Sequence, residues 1–519
     1  MLKMHLAPYA DTDWSWTGAA YTTRDGASEL RPYVHPLLEH LAYTDGARTA
    51  VAVRERVTGV PTAAAGPQLV VPGEFEARLA ELRSWPADFL LVETAPRMPA
   101  RVTAGAWCSA PFYVAVSGGV LHGSWDMADL RAYAAGLRAT EAARLLTYRP
   151  RYSTETLFTG IHRLTERATA HFGGHLWMQY PEPALHSAPR ELAEDADVLA
   201  ALVDAIDTAL DLRPLDLATT AFHLTGGFDS GIIATRAAER HPNVFTIGTL
   251  LVGGPGRAQQ IRRRKELRAG RFADDLTVDA VRYLPLDPAC ARVRGEPISP
   301  YEEPLHLPFT LLTRLLADNG ARTVVTGVGG DEMVALSQVE YPRPDPFHDR
   351  GPLPWLGDHT TAAMEFAELG IAPPAVANSM TLLSLETAAP ILLRHGIWPV
   401  HPFVDPGMIR LGEWLPMVWR DFKELQRRRL ASLGYSDDVV HPELRESFAE
   451  IVEDCLGAYG LPILRGMLRD GSPLFDERLV DPDGLRRTLD RWESQSYDEM
   501  RDSPLIEVIT LHQAATAFL

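Results

Sequence analysis

Two short glycine-rich stretches hold the residue types best suited to chemistry in this chain. The first reads His223-Leu224-Thr225-Gly226-Gly227-Phe228-Asp229-Ser230-Gly231. Gly226 and Gly227 lack a Cβ, so their backbone can approach an anion closely and adopt positive φ, while the hydroxyls of Thr225 and Ser230 can donate to phosphate oxygens. Asp229 would repel a phosphate unless a cation lay between them. A magnesium ion, which takes oxygens from phosphates and from one or two carboxylates, removes that conflict. Taken alone, the stretch suits a glycine turn followed by a helix cap equally well. The second stretch, Thr323-Val324-Val325-Thr326-Gly327-Val328-Gly329-Gly330-Asp331-Glu332-Met333, repeats the logic with three glycines in four residues and acids opening a helix. Asp331 is a candidate second carboxylate for the same ion. Its own alternative is also a helix cap, and the pair together favours the metal-bound phosphate.

Such loops need strands to carry them. Residues 219–224 read as a buried strand, a helix runs from 230 to about 240, and a β-branched run follows at 244–252. Strand, crossover helix and strand form the unit of a parallel sheet, whose ligands sit off the carboxyl ends of the strands. The alternation continues with a helix at 261–273, a strand at 281–286, a helix at 305–318 and a strand at 322–326. Beyond about residue 347 the pattern is mostly helical, and residues 381–395 are apolar nearly all round, as a buried helix would be. Before the first loop, residues 196–211 have helical spacing and 180–194 read as a proline-bearing linker. Residues 1–180 look strand-rich, with Ser117-Gly118-Gly119 between two apolar runs as a hairpin signal. The expected division is a β-rich domain at 1–185 and an α/β domain at 195–519.

A chain of 519 residues exceeds one ordinary core, which fits two domains. With 46% hydrophobic and 23% charged residues and no run of eighteen apolar ones, it reads as soluble, with no membrane span. The first residues show no signal-peptide pattern, so a cytoplasmic protein is expected. Cys108, Cys290 and Cys455 are too scattered for a disulfide framework or a zinc site. A formal charge of -18 argues against nucleic acid as partner and is compatible with a basic peptide.

The two loops resemble the signatures of the asparagine synthetase family: SGGxDS, with Thr225 replacing the usual Ser, and about a hundred residues later TGxGGDE. Leu157-Phe158-Thr159-Gly160-Ile161-His162-Arg163-Leu164 is similar to that family's segment between its two domains, and His401-Pro402-Phe403-Val404-Asp405 to its PFLD element. The resemblance implies a degenerate class II glutamine amidotransferase-like N-terminal domain and a C-terminal ATP-pyrophosphatase domain of the adenine nucleotide α-hydrolase type. It implies that Thr225, Gly226, Gly227, Phe228, Asp229 and Ser230 hold the pyrophosphate end of ATP, and that Leu224, Ile247, Thr326 and Gly327 line the adenine and ribose site. Asp229 and Asp331 would hold Mg2+. The family's reaction adenylates a carboxylate and then lets an amine displace AMP.

Departures from the family narrow that expectation. Glutamine-dependent members begin with a catalytic cysteine, whereas position 2 here is Leu2, so the amine is expected to come from elsewhere. β-Lactam synthetases carry a tyrosine, and asparagine synthetases usually a glutamate, where this chain has Val328. What remains is similarity to lasso peptide cyclases, which join a precursor peptide's N-terminal amine to an Asp or Glu side chain. Leu121-His122-Gly123-Ser124-Trp125-Asp126 is faintly similar to segments of actinobacterial cyclases. A peptide α-amine has a reference pKa of about 8 and needs little help to lose a proton. A leader-binding protein and a leader peptidase would be the matching partners. A family lysine is replaced in His441-Pro442-Glu443-Leu444-Arg445-Glu446-Ser447-Phe448 by Arg445, the expected third catalytic residue, with an exposed helix arginine as its alternative. Competing readings are a small-molecule amide ligase and a decayed nucleotide-binding partner protein. Residues 262–265 read as a solvated basic helix face with contact to triphosphate or an acidic substrate as the alternative, Lys423 as a surface lysine with contact to substrate or phosphate as the alternative, and Glu302 and Glu303 as helix N-terminal acids with amine recognition as the alternative. Glu332 reads as loop support, and Trp398, Trp414 and Trp419 as core.

Overall fold

The computed structural model describes residues 1–9, 12–186, 190–337, 339–341, 353–444 and 446–519. Its N-terminal part contains two seven-stranded sheets. In the first, Leu2–Leu6 lies between Val120–Ser124 and Glu29–Pro32; in the second, Thr49–Glu55 lies between Leu38–Thr44 and Phe89–Thr94. The pairings are antiparallel except at the edge, where Pro67–Leu69 runs parallel to Leu38–Thr44. The hairpin expected around Ser117 forms, with Gly118 and Gly119 at φ 56° and 75°, the left-handed pair that a two-residue turn requires. Met4, Leu6, Leu30 and Leu121 of one sheet share a core with Val51, Val53, Val92 and Val102 of the other. This is the alternation of a sandwich.

The third sheet has five parallel strands: β1 Thr220–His223, β2 Thr246–Leu251, β3 Asp274–Asp279, β4 Thr323–Val325 and β5 Trp398–Val400. Helix α1 Phe228–Arg240 connects β1 to β2, α2 Gly256–Arg268 connects β2 to β3, α3 His306–Asp318 precedes β4, and α4 Ser379–Arg394 precedes β5. The order across the sheet is β3-β2-β1-β4-β5. The chain winds outward from β1 to β3 and then returns to the far side of β1, so the winding reverses between β1 and β4. Connections leave such a switch point in opposite directions and open a crevice at the strands' carboxyl ends. The two glycine loops follow these two strands.

Two expectations need correction. The strand expected at 281–286 is β3, seven residues earlier, and a 3-10 turn Ala280–Arg282 occupies part of the expected span. As an edge strand β3 is half-exposed and carries Asp and Thr, so its polarity hides it. The helix expected at 261–273 starts at Gly256 and ends at Arg268, because its buried face includes Gln259, Gln260, Arg263 and Arg264, which apolar periodicity does not register.

The sandwich and the parallel sheet meet through buried polar groups. Glu55 is fully buried and accepts from Arg213 at 2.5 Å and the Trp398 indole at 2.7 Å. The Tyr33 hydroxyl donates to the Leu393 carbonyl at 2.7 Å. Arg394 at the end of α4 forks onto both Asp126 and Glu302 at 2.7 to 2.9 Å. No helix among the described residues is long and apolar enough to cross a membrane.

Candidate active site

The first loop is closed by its own hydroxyls. Thr225 N–H donates to Ser230 Oγ at 3.1 Å, the Thr225 and Ser230 hydroxyl oxygens lie 2.9 Å apart, and Gly227 N–H donates to Thr225 Oγ1 at 3.1 Å. Gly226 sits at φ 96°, a conformation L side chains avoid, and Gly227 is the N-cap of α1. Two side chains of α2 brace the loop from below. The Gln260 amide donates to the carbonyls of Thr225 and Leu250 at 2.9 and 3.0 Å and accepts from Val252 N–H at 3.0 Å. Arg264 donates to the Leu224 carbonyl at 2.6 Å and to Asp275 at 2.5 Å. Arg263 and Arg264 are buried, so only Arg262 and Lys265 of the basic run face solvent.

The second loop is built for contact with the first. A Cβ on Gly327 would lie 2.5 Å from the Ser230 nitrogen, and one on Gly330 would lie 2.5 Å from Asp229 Cγ. Glycine at these two positions lets the loop settle onto the first turn of α1. Gly329, at φ 97°, turns the chain into the short helix Gly330–Met333. Under the loop, Thr326 Oγ1 lies 2.7 Å from His401 Nδ1 and accepts from Val328 N–H at 3.2 Å.

This packing brings Asp229 and Asp331 to one point, occupied by the ammonium of Lys423, which lies 2.5 Å from Asp229 Oδ2 and 2.6 Å from Asp331 Oδ1. Gln426 donates to the other oxygen of Asp229 at 3.1 Å. Lys423 precedes helix α5 Glu424–Ser432 and is reached through two consecutive left-handed residues, Phe422 at φ 48° and Lys423 at φ 59°. Each such residue costs about 1–3 kcal/mol and persists only where its surroundings hold it, here the two ion pairs. Burial raises the Asp229 carboxyl above its usual range, Lys423 opposing and Asp331 adding to the shift. Burial pulls the Lys423 ammonium down, but the two carboxylates outweigh it and the net shift is upward. Among the described residues no cluster of three metal-ligating side chains exists. Two carboxylates converging on a single cation position suit magnesium, whose remaining ligands are phosphate oxygens and water. The Lys423 ammonium stands where such a cation would lie.

A cleft of about 810 Å³ opens here, lined by Thr225, Gly227, Phe228, Asp229 and Asp331 of the loops and by Lys423. Its volume is that of a small-molecule site. Two guanidiniums lie against the Phe228 ring, Arg263 at 4.8 Å and Arg427 at 4.7 Å from its centre. One wall is apolar, with Leu250, Val252, Leu305, Phe309 and Leu312. The side chains of Leu224, Ile247 and Thr326 do not line this cleft. The first two are fully buried in the core and Thr326 is engaged with His401, while Gly327 abuts Ser230. Ser230 is buried against Thr225, and Gly226 is pressed toward Arg264. Arg445 lies outside the described residues.

Sequence reasoning missed Gln426 and Gln260, and it read Lys423 and Arg264 as surface groups where the structure sets them at the loops. Lys423 carries the clearest hint: two acids on neighbouring loops need a cation, and nothing local supplies one. Glu302 is buried and held by Arg394 and His306, and its carboxyl is depressed to about 2 despite burial. Glu303 instead lines the cleft, Glu332 lines a separate cavity of about 260 Å³, and Val328 packs against the apolar cluster that includes Trp107 and Leu385. Trp398 is core as expected, but Trp414 is 49% exposed.

Residues 201–393 match the family model of asparagine synthase. The matched segment covers both loops and the strands β1 to β4, and stops before Lys423. The segment is thus similar to a family that forms amide bonds with ATP as substrate, commonly with magnesium. No curated protein matches the chain.

Proposed function

We propose that this chain is an ATP-dependent ligase that adenylates the side-chain carboxylate of an Asp or Glu in a precursor peptide and closes it onto the peptide's N-terminal amine, forming a macrolactam and releasing AMP and pyrophosphate. The observation that carries the reading is the convergence of Asp229 and Asp331, from two loops at the switch point of the sheet, on one cation position. The loop at 225–230, with its helix N-terminus, receives the pyrophosphate end of ATP. Asp229 and Asp331 would hold magnesium, which would supply neutralisation of charge at the phosphates during attack of the substrate carboxylate on the α-phosphorus.

Lys423 then releases the aspartates and donates to phosphate oxygens, a shift of partners that its long side chain permits. Arg263 and Arg427, lying against Phe228, add positive charge to the same wall. In this reading residues 1–185 form a degenerate amidotransferase-like domain and residues 195–519 the ligase domain. Val328, packed among apolar neighbours, provides neither the acid nor the phenol expected of small-molecule relatives. A leader-binding protein, a leader peptidase and a cytoplasmic location complete the proposal, with neither nucleic acid nor membrane as partner.

The test is incubation with ATP, magnesium and synthetic peptides bearing a free N-terminus and an internal Asp or Glu. Mass spectrometry should find a product lighter by one water together with AMP. Pyrophosphate release that needs no peptide would overturn the reading.

A further inference from the structure

Among the described residues that line the cleft, the acids differ in their partners. Asp229 and Asp331 share Lys423, Glu446 pairs with Arg263 at 2.5 Å, and Glu443 is exposed. Glu303 is half-buried and forms no ion pair with any described residue. One of its oxygens accepts from Leu305 N–H at 3.2 Å, and no described residue hydrogen-bonds to the other. In the same wall His223 Nε2 is buried without a hydrogen-bond partner, edge-on to Phe309. Two polar groups without full partners, set among Leu305, Phe309 and Leu312, fit a ligand that brings N–H donors into an apolar surround.

The segment carrying Glu303 is firmly held. Leu157 N–H donates to the Tyr301 hydroxyl at 2.7 Å, and the Arg163 guanidinium covers the Tyr301 ring at 4.6 Å. Glu302 is clamped by Arg394, and Glu303 N–H donates to the Thr387 carbonyl at 3.0 Å. Leu157, Arg163 and, through Arg394, Asp126 belong to the N-terminal part, so the sandwich fixes this carboxylate in place.

We infer that Glu303 is the catalytic residue that receives the amine nucleophile as an ammonium ion and takes its proton, an inference that rests on the ligase reading above. The freed lone pair attacks the acyl carbon, the C–N bond forms, and the C–O bond to AMP breaks with its electron pair leaving on the AMP phosphate. The second N–H proton passes to solvent. Burial raises the Glu303 carboxyl, with Arg292 opposing, and a stronger base results.

The test separates the two half-reactions. N-acetylated peptides with an internal Asp or Glu can be activated but not cyclised, and hydroxylamine, unprotonated at neutral pH, traps the acyl-adenylate as a hydroxamate without a base. Glu303→Gln should form hydroxamate within about twofold of wild type while macrolactam formation from free-amine peptides falls by about 10²-fold or more. Glu303→Asp should recover part of the loss, which a purely structural role would not predict for the shorter side chain. Equal loss of both products in a folded Glu303→Gln protein, or a raised KM for ATP, would assign Glu303 to the nucleotide and overturn the inference. Unchanged cyclisation would overturn it as well. A wild-type protein that forms no hydroxamate with any peptide would instead remove the ligase reading.

Discussion

The two glycine loops look alike in sequence and do different physical work. In the first, Gly226 takes a left-handed turn against Arg264 and Gln260, and Gly227 caps α1 at the cleft, where lacking a side chain leaves backbone free for a ligand. In the second, Gly327 and Gly330 are pressed onto the backbone of Ser230 and the carboxylate of Asp229. There, lacking a side chain serves the contact between loops. Glycine alone does not mark a phosphate site; what its missing Cβ would strike decides the role.

The largest expected effect comes from removing what each loop contributes to the shared cation. Asp229→Ala and Asp331→Ala should each lower pyrophosphate release by on the order of 10³-fold in folded protein, the several kcal/mol of metal-assisted charge stabilisation. Wild-type turnover in either variant would remove the metal assignment and with it the equivalence of the loops.

Alanine at the glycines should split them. Gly330→Ala forces Asp229 away and should cost about 10²-fold in activity, as misplacements of about 1 Å do. Gly327→Ala strikes backbone and should lose about 1–3 kcal/mol of stability in denaturant titrations. Gly227→Ala meets nothing nearer than Thr225 Oγ1 at 3.2 Å and should unfold like wild type, its defect confined to ATP affinity. Equal destabilisation at positions 227 and 327 would erase the distinction.

Lys423→Met leaves two carboxylates facing each other without their cation. It should lower the melting temperature in the absence of magnesium, and added magnesium should raise it more than in wild type. Absence of that difference would mean that Lys423 and the metal do not share a position.

A histidine lies beside each loop, and burial depresses both: His223 to about 4 and His401 to about 3. Between pH 6.5 and about 4 the unfolded chain therefore binds protons that the folded chain refuses, and stability should fall as pH falls through that window. His401→Gln should flatten the acid limb of a plot of stability against pH. The smallest effect is expected of Thr326→Val, which removes the bond to His401 and should cost about 1 kcal/mol, with little change in ATP affinity.

Much of this was legible in the chain. Alternating strand and helix periods place β1, α1, β2, α3 and β4 within a few residues, and the acids after each loop suffice to suggest a shared cation. β3 was misplaced because an edge strand does not need the apolar pattern that marks a buried one. α2 was shifted because its buried face holds Gln260 and Arg264, whose burial depends on loops distant in sequence.

By itself, then, the sequence determined the two loops, their acids, and the parallel sheet that carries them, because strand and helix periods and glycine conformations are local properties. The tertiary structure alone decided that Lys423, 194 residues from Asp229, holds both acids, that the second loop's glycines serve the contact between loops, and that Glu303 has no ion-pair partner among the described residues. Each of these depends on which groups the fold brings within a few ångströms of one another, and separation along the chain does not specify that.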